Sequence, residues 1–135
     1  MTAVLIDANV LLDIMTQDAR WLAWSAAAVE RAADQSRLVI NPVVYAEVSI
    51  RYSRIEDLDL ALPRSMFERE AIPYEAAFLA GKAFQIYRRR GGTKRSPLPD
   101  FFIGAHAAVA GYRLLTRDVG RYRSYYPKLR LIAPE

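Results

Sequence analysis

The chain alternates short, wholly apolar runs with longer segments whose apolar residues recur every three or four positions. Ala3–Ile6 (AVLI) has the length of a strand, and Asp7 ends it. Val10, Leu11 and Ile14 then fall at helical spacing, so residues 8–15 are predicted helical. An alanine-rich segment over 21–33 carries a stripe of Leu22, Ala26 and Val29 and predicts a second helix. Residues 38–40 read as a strand closed by Asn41-Pro42, and proline suits the first turn of a helix over 43–52. Pro63 divides 55–70 into two short helices. Beyond an extended Ile72-Pro73, the 74–87 segment is strongly amphipathic; three arginines complement the dipole at its end, and Gly91-Gly92 stop it. Residues 93–99 form a loop, and 100–110 a helix ended by Gly111. Two further strands are predicted over 113–115 and 129–132, with a helix between them.

Strands alternating with helices in this order define an α/β fold, with a small, mainly parallel sheet of four or five strands flanked by helices. The 135 residues suffice for one domain spanning 1–135. Composition narrows the chemistry. There is no cysteine, which removes disulfides, thiolate metal sites and thiol catalysis, and one histidine, which removes a His-rich metal site. The opening MTAVLIDANVLLDIM lacks a positive leader and is interrupted by Asp7 and Asp13, so it does not read as a signal peptide. No window approaches the roughly 18 apolar residues of a membrane span. A cytoplasmic protein with no membrane attachment is expected.

Four acids stand out by placement: Asp7 after AVLI, Glu47 within NPVVYAEVSI, Asp100 in SPLPDFFIGAHAAV, and Asp118 in YRLLTRD. Open parallel sheets bind ligands outside the carboxyl ends of their strands. Asp7 and Asp118 follow strands directly, and Asp100 and Glu47 lie on helices able to overhang the same edge. Four carboxylates gathered there repel one another and call for a divalent cation. Each also has an ordinary role available: Asp7 or Asp100 as a helix cap, Glu47 as a surface glutamate, Asp118 as a turn residue. Asn9 and Thr116 are candidate supporting polar groups, with capping and strand-edge roles as their alternatives. Asp13, Glu56, Asp57 and Asp59 do not share the placement. His106, about 240° around its helix from Asp100, reads as a core histidine.

The net charge is +4 (19 basic less 15 acidic residues), although the candidate site is acidic. Basic residues are therefore expected around it, where a polyanion is held. Arg88, Arg89, Arg90, Lys94 and Arg95 cluster just before Asp100, and Arg117 precedes Asp118; all six are candidate RNA contacts. Tyr122, Tyr125 and Tyr126 read as packing residues, with base stacking as the alternative.

LIDANVLL, NPVVYAEV, PDFFIGAHAAVAGYRLLTRD and RYRSYYPKLRLI together resemble a PIN-domain protein, specifically a VapC-type toxin of a bacterial toxin–antitoxin pair. The resemblance runs from Ala3 to Pro134. It implies that Asp7, Glu47, Asp100 and Asp118 bind Mg²⁺ or Mn²⁺, with Asn9 and Thr116 in support. It further implies metal-dependent endonucleolytic cleavage of RNA to 5′-phosphate and 3′-hydroxyl ends, a homodimer, and a cognate VapB-type antitoxin. Arg121 and Tyr122 stand where some relatives carry another acid, which leaves a second metal position unassigned. The rival reading is a PIN-like module that binds RNA or a partner without cleaving. Trp21, Trp24, Tyr45, Tyr52 and Phe67 are the apolar residues expected to serve partners.

Overall fold

The computed structural model describes residues 2–95 and 98–135. Five strands form one all-parallel sheet: β1 (Ala3–Ile6), β2 (Arg37–Ile40), β3 (Phe67–Arg69), β4 (Arg113–Leu115) and β5 (Leu131–Ile132). Their spatial order is β3-β2-β1-β4-β5, with Val4 opposite both Leu38 and Arg113. Among the described residues seven helices flank it: α1 (Ala8–Met15), α2 (Leu22–Gln35), α3 (Pro42–Ser49), α4 (Ile55–Ala61), α5 (Tyr74–Arg89), α6 (Pro99–Ala110) and α7 (Gly120–Tyr125). The α/β expectation and the strand count hold.

A sheet covered on both faces has continuously apolar central strands, and β1 is buried at every position. Val4, Leu5, Ile6, Val39, Leu114 and Leu115 form the centre of the core. On one face α5 packs against α6, where Phe101 meets Phe84, Tyr87 and Tyr125 edge-on. Each such aromatic pair adds about 0.5–1.5 kcal/mol to the burial itself. Asn41 starts α3 by accepting the Val44 N–H at 2.9 Å, with Pro42 in the first turn. Gly111, at φ 74°, takes the left-handed turn that ends α6.

One predicted element is wrong. The second half of 55–70 is not a helix; Phe67–Arg69 is the edge strand β3, paired in parallel with β2. Only Phe67 of its three residues is buried, so no alternation long enough to signal a strand exists in the sequence. The apolar residues expected on the surface also need correction. Phe67 is buried, and Trp21, Trp24, Tyr45 and Tyr52 are half-buried. The exposed large apolar side chains include Ile50, Ile55, Leu60, Tyr74 and Phe78. Among the described residues no helix is long and apolar enough to cross a membrane.

Candidate active site

The chain leaves β1 toward β2 on one side of the sheet, while β4 lies on the other, so the carboxyl ends of β1 and β4 flank the switch point of the sheet. Such a crevice is the expected ligand site of an open parallel sheet. Asp7 follows β1, and its N–H donates to the Leu115 carbonyl at 2.9 Å, tying it to the end of β4. Asp7 occupies the N-cap position of α1, yet its side chain makes no capping bond. Instead Oδ2 accepts from Thr116 Oγ1 at 2.8 Å, Tyr122 Oη at 2.9 Å and Asn9 Nδ2 at 3.4 Å. No side-chain donor among the described residues bonds to Oδ1. One oxygen is thus anchored and the other is left for a different partner.

Asp7 is 6% exposed. Burial raises its proton affinity, the Thr116 and Tyr122 hydroxyls oppose that, the nearby Asp100 adds to it, and the carboxyl ends above its usual range. Burial and the Asp7 carboxylate push the Tyr122 phenol upward, so Tyr122 stays a hydrogen-bond donor. Thr116 is fully buried, and Asn9 ties the group together by accepting the Arg117 N–H through Oδ1 at 3.2 Å.

Asp7, Glu47, Asp100 and Asp118 all line one cleft of about 350 Å³. Glu47 faces it from α3, which packs against α1 and α6. Burial, then Asp7, then Asp100 push the Glu47 carboxyl up to about 7. Its carboxylate has no hydrogen-bond or ion partner among the described residues. Asp100 lies one residue beyond Pro99 in the first turn of α6; the cap position belongs to Leu98, so Asp100 is not the cap. Asp118 is exposed at the rim, and its Oδ1 accepts the Gly120 N–H at 3.3 Å as a turn residue does.

The donor set is one of hard oxygens, which suits Mg²⁺ or Mn²⁺. Burial first, and then the like charges of Asp7 and Asp100, raise the proton affinity of Glu47. As the side chains stand, no three of them among the described residues converge closely enough to hold one ion. Asp100 is turned to Arg121, whose Nη1 lies 3.1 Å from Oδ1.

Three features escaped the sequence. Tyr122, read as a packing residue, is buried and also anchors Asp7. Arg121 reaches into the acidic cleft. Asp13, which does not share the placement of the four acids, is buried and forms a fork with Arg117, at 2.7 Å to Nε and 2.9 Å to Nη2, while Ser25 Oγ donates to it at 2.8 Å. Arg117, expected to be free for RNA, is thereby committed to Asp13. The remaining candidate cations divide. Arg88 donates to the Lys94 carbonyl, Arg90 donates to Ser124 Oγ and lies over the Tyr125 ring, and Arg89, Lys94 and Arg95 are exposed. His106 is buried as expected, with Asn41 Nδ2 at 3.0 Å from Nδ1 and Glu70 Oε1 at 3.5 Å from Nε2.

A parallel α/β sheet with an acidic cleft at its switch point defines the class: an α/β protein whose carboxylates gather where such sheets bind ligands. The family is narrower than that class. A PIN-domain profile matches residues 4–125, and the chain belongs to the PIN-domain family. Solved structures agree in fold. VapBC2 from Rickettsia felis, bound to a DNA fragment from its promoter, superposes with a TM-score of 0.74 at 17% identity, covering 98% of each chain. VapBC-1 from nontypeable Haemophilus influenzae gives 0.73 at 18%, and a toxin–antitoxin complex from Klebsiella pneumoniae 0.69 at 24%, again over 98% of each chain. No curated protein sequence matches the chain.

Proposed function

We propose that this chain is the toxin of a VapBC-type toxin–antitoxin pair, a Mg²⁺- or Mn²⁺-dependent endoribonuclease acting in the cytoplasm. The observation that carries the reading is Asp7. It is buried at the switch point, with Oδ2 fixed by three donors, and lines a cleft shared with Glu47, Asp100 and Asp118. Membership of the PIN family supports nuclease chemistry, and the likeness in fold to toxin–antitoxin complexes supports a VapB-type partner. The exposed Ile50, Ile55 and Leu60 offer apolar surface to that partner or to a second copy in a homodimer.

A bound divalent cation supplies a water of lowered pKa and offsets charge building on the phosphoryl oxygens. Asp7 and Asp100 are the direct ligands, with Glu47 and Asp118 binding directly or through water. Thr116, Tyr122 and Asn9 fix the Asp7 carboxylate so that it need not reorganise as the reaction proceeds. Water as nucleophile leaves a 5′-phosphate and a 3′-hydroxyl. A binding module without cleavage is the second reading, favoured by the single fact that among the described residues no three acids converge as the side chains stand.

The test is incubation of purified protein with total RNA in Mg²⁺ or in EDTA, beside Asp7→Asn and Asp100→Asn. Cleavage by the wild type in Mg²⁺ alone, lost in both variants, is expected. Equal cleavage by the variants removes the site, and no metal-dependent cleavage leaves the binding module in front.

A further inference from the structure

Arg121 is the cation that forms an ion pair with one of the four cleft acids among the described residues. It stands in the first turn of α7, and its guanidinium carbon lies 5.2 Å from the Phe101 ring centre and 5.4 Å from that of Tyr87. Two aromatic faces hold the planar group in place at the mouth of the cleft, a setting that suits guanidinium and not ammonium. Asp100, Asp118 and Arg121 also line a neighbouring polar trough, together with Gly120, Ser124 and Tyr125. Arg90 touches two of its lining residues, bonded to Ser124 Oγ and lying 5.1 Å from the Tyr125 ring centre. Arg121, Ser124, Tyr125 and Arg90 therefore lie side by side next to the Asp100 and Asp118 carboxylates.

We propose that Arg121 is a two-position residue, the counter-ion of Asp100 before metal arrives and a phosphodiester-binding group of the same site afterwards. The inference rests on the ribonuclease reading above. A divalent ion taking Asp100 removes the arginine's partner and repels its charge. The guanidinium, still held between Tyr87 and Phe101, then faces the strand entering the cleft. Its fork matches two oxygens of a phosphate. Ser124 and Arg90, the latter lying over the Tyr125 ring, continue the track. The ligand class is single-stranded nucleic acid, recognised through its backbone.

Arg121→Ala and Arg121→Lys test this, with Arg31→Ala on the exposed face of α2 as the control for net charge, after circular dichroism shows each variant folded. Titration with Mn²⁺ alone, followed by calorimetry, reports the counter-ion role. Removing an ion pair of this partly exposed kind tightens Mn²⁺ binding about fivefold in Arg121→Ala. Binding of a single-stranded RNA oligonucleotide, followed by fluorescence anisotropy across a KCl series, reports the phosphate role. In Ca²⁺ the salt slope of Arg121→Ala falls by about 0.7, the loss of one phosphate contact. In EDTA, where Arg121 stays on Asp100, the slopes of wild type and variant coincide. Arg121→Lys lies between the two, and Arg31→Ala matches wild type in every arm.

Unchanged Mn²⁺ affinity, or an equal salt slope in Ca²⁺, overturns the proposal while leaving the ribonuclease reading intact. A wild-type protein that binds no RNA in either buffer removes that reading and the phosphate role with it. The Mn²⁺ titration then still decides the counter-ion role.

Discussion

Glu47→Gln makes the metal-free protein more stable at alkaline pH while weakening the site. The Glu47 carboxyl is raised from 4.5 to about 7 by burial and by the carboxylates of Asp7 and Asp100. Between those two values the folded chain keeps a proton that the unfolded chain has released. Stability therefore falls as pH rises through that window and levels off above about 7. A shift of about 2.5 units corresponds to about 3 kcal/mol, and partial solvent access reduces this to about 1.5–3 kcal/mol. Glutamine keeps the shape and removes the charge. Urea denaturation in EDTA at pH 5 and pH 8 measures the difference. Glu47→Gln is expected to gain about 1.5–3 kcal/mol over wild type at pH 8, with the gap nearly closed at pH 5. Mg²⁺ is expected to narrow the gap at pH 8, because it offsets the same repulsion in the wild type. Parallel pH dependences for the two proteins would refute the reasoning.

Arg117→Ala leaves the buried Asp13 carboxylate with Ser25 alone and is expected to cost about 3–5 kcal/mol in urea unfolding. Tyr122→Phe removes one donor from Asp7 Oδ2, costing about 1 kcal/mol of stability and lowering the cleavage rate in Mg²⁺. Gly104→Ala places a methyl 2.6 Å from the Tyr126 ring and 3.0 Å from that of Tyr122. Thermal denaturation is expected to show a loss of about 1–3 kcal/mol from the overpacking.

The elements with a long repeat or a continuous apolar run were legible in the sequence. β1 is buried throughout, β2 and β4 are buried beyond their first residues Arg37 and Arg113, and α5 carries four turns of amphipathic pattern. β3 was not legible, because an edge strand with one buried residue carries no period. The acidic quartet was legible because each acid interrupts or bounds an apolar run, a local signal. What failed was everything set by distant partners. The Asp13–Arg117 fork joins residues 104 positions apart, and the Tyr122–Asp7 bond joins residues 115 apart. Nothing near Asp13 distinguishes a buried, paired aspartate from a solvated one. Arg117 looked free for the same reason, since its partner lies on α1, across the loop that follows β4.

The central claim is that these four carboxylates hold a divalent ion. The most direct measurement is anomalous diffraction from crystals of the protein soaked in Mn²⁺. The account expects an ion in contact with Asp7 Oδ1 and Asp100, at the short distances of about 2.1 Å that hard octahedral cations demand. Arg121 is then displaced from Asp100. An unperturbed Arg121–Asp100 pair at saturating Mn²⁺, with no ion in the cleft, would contradict it.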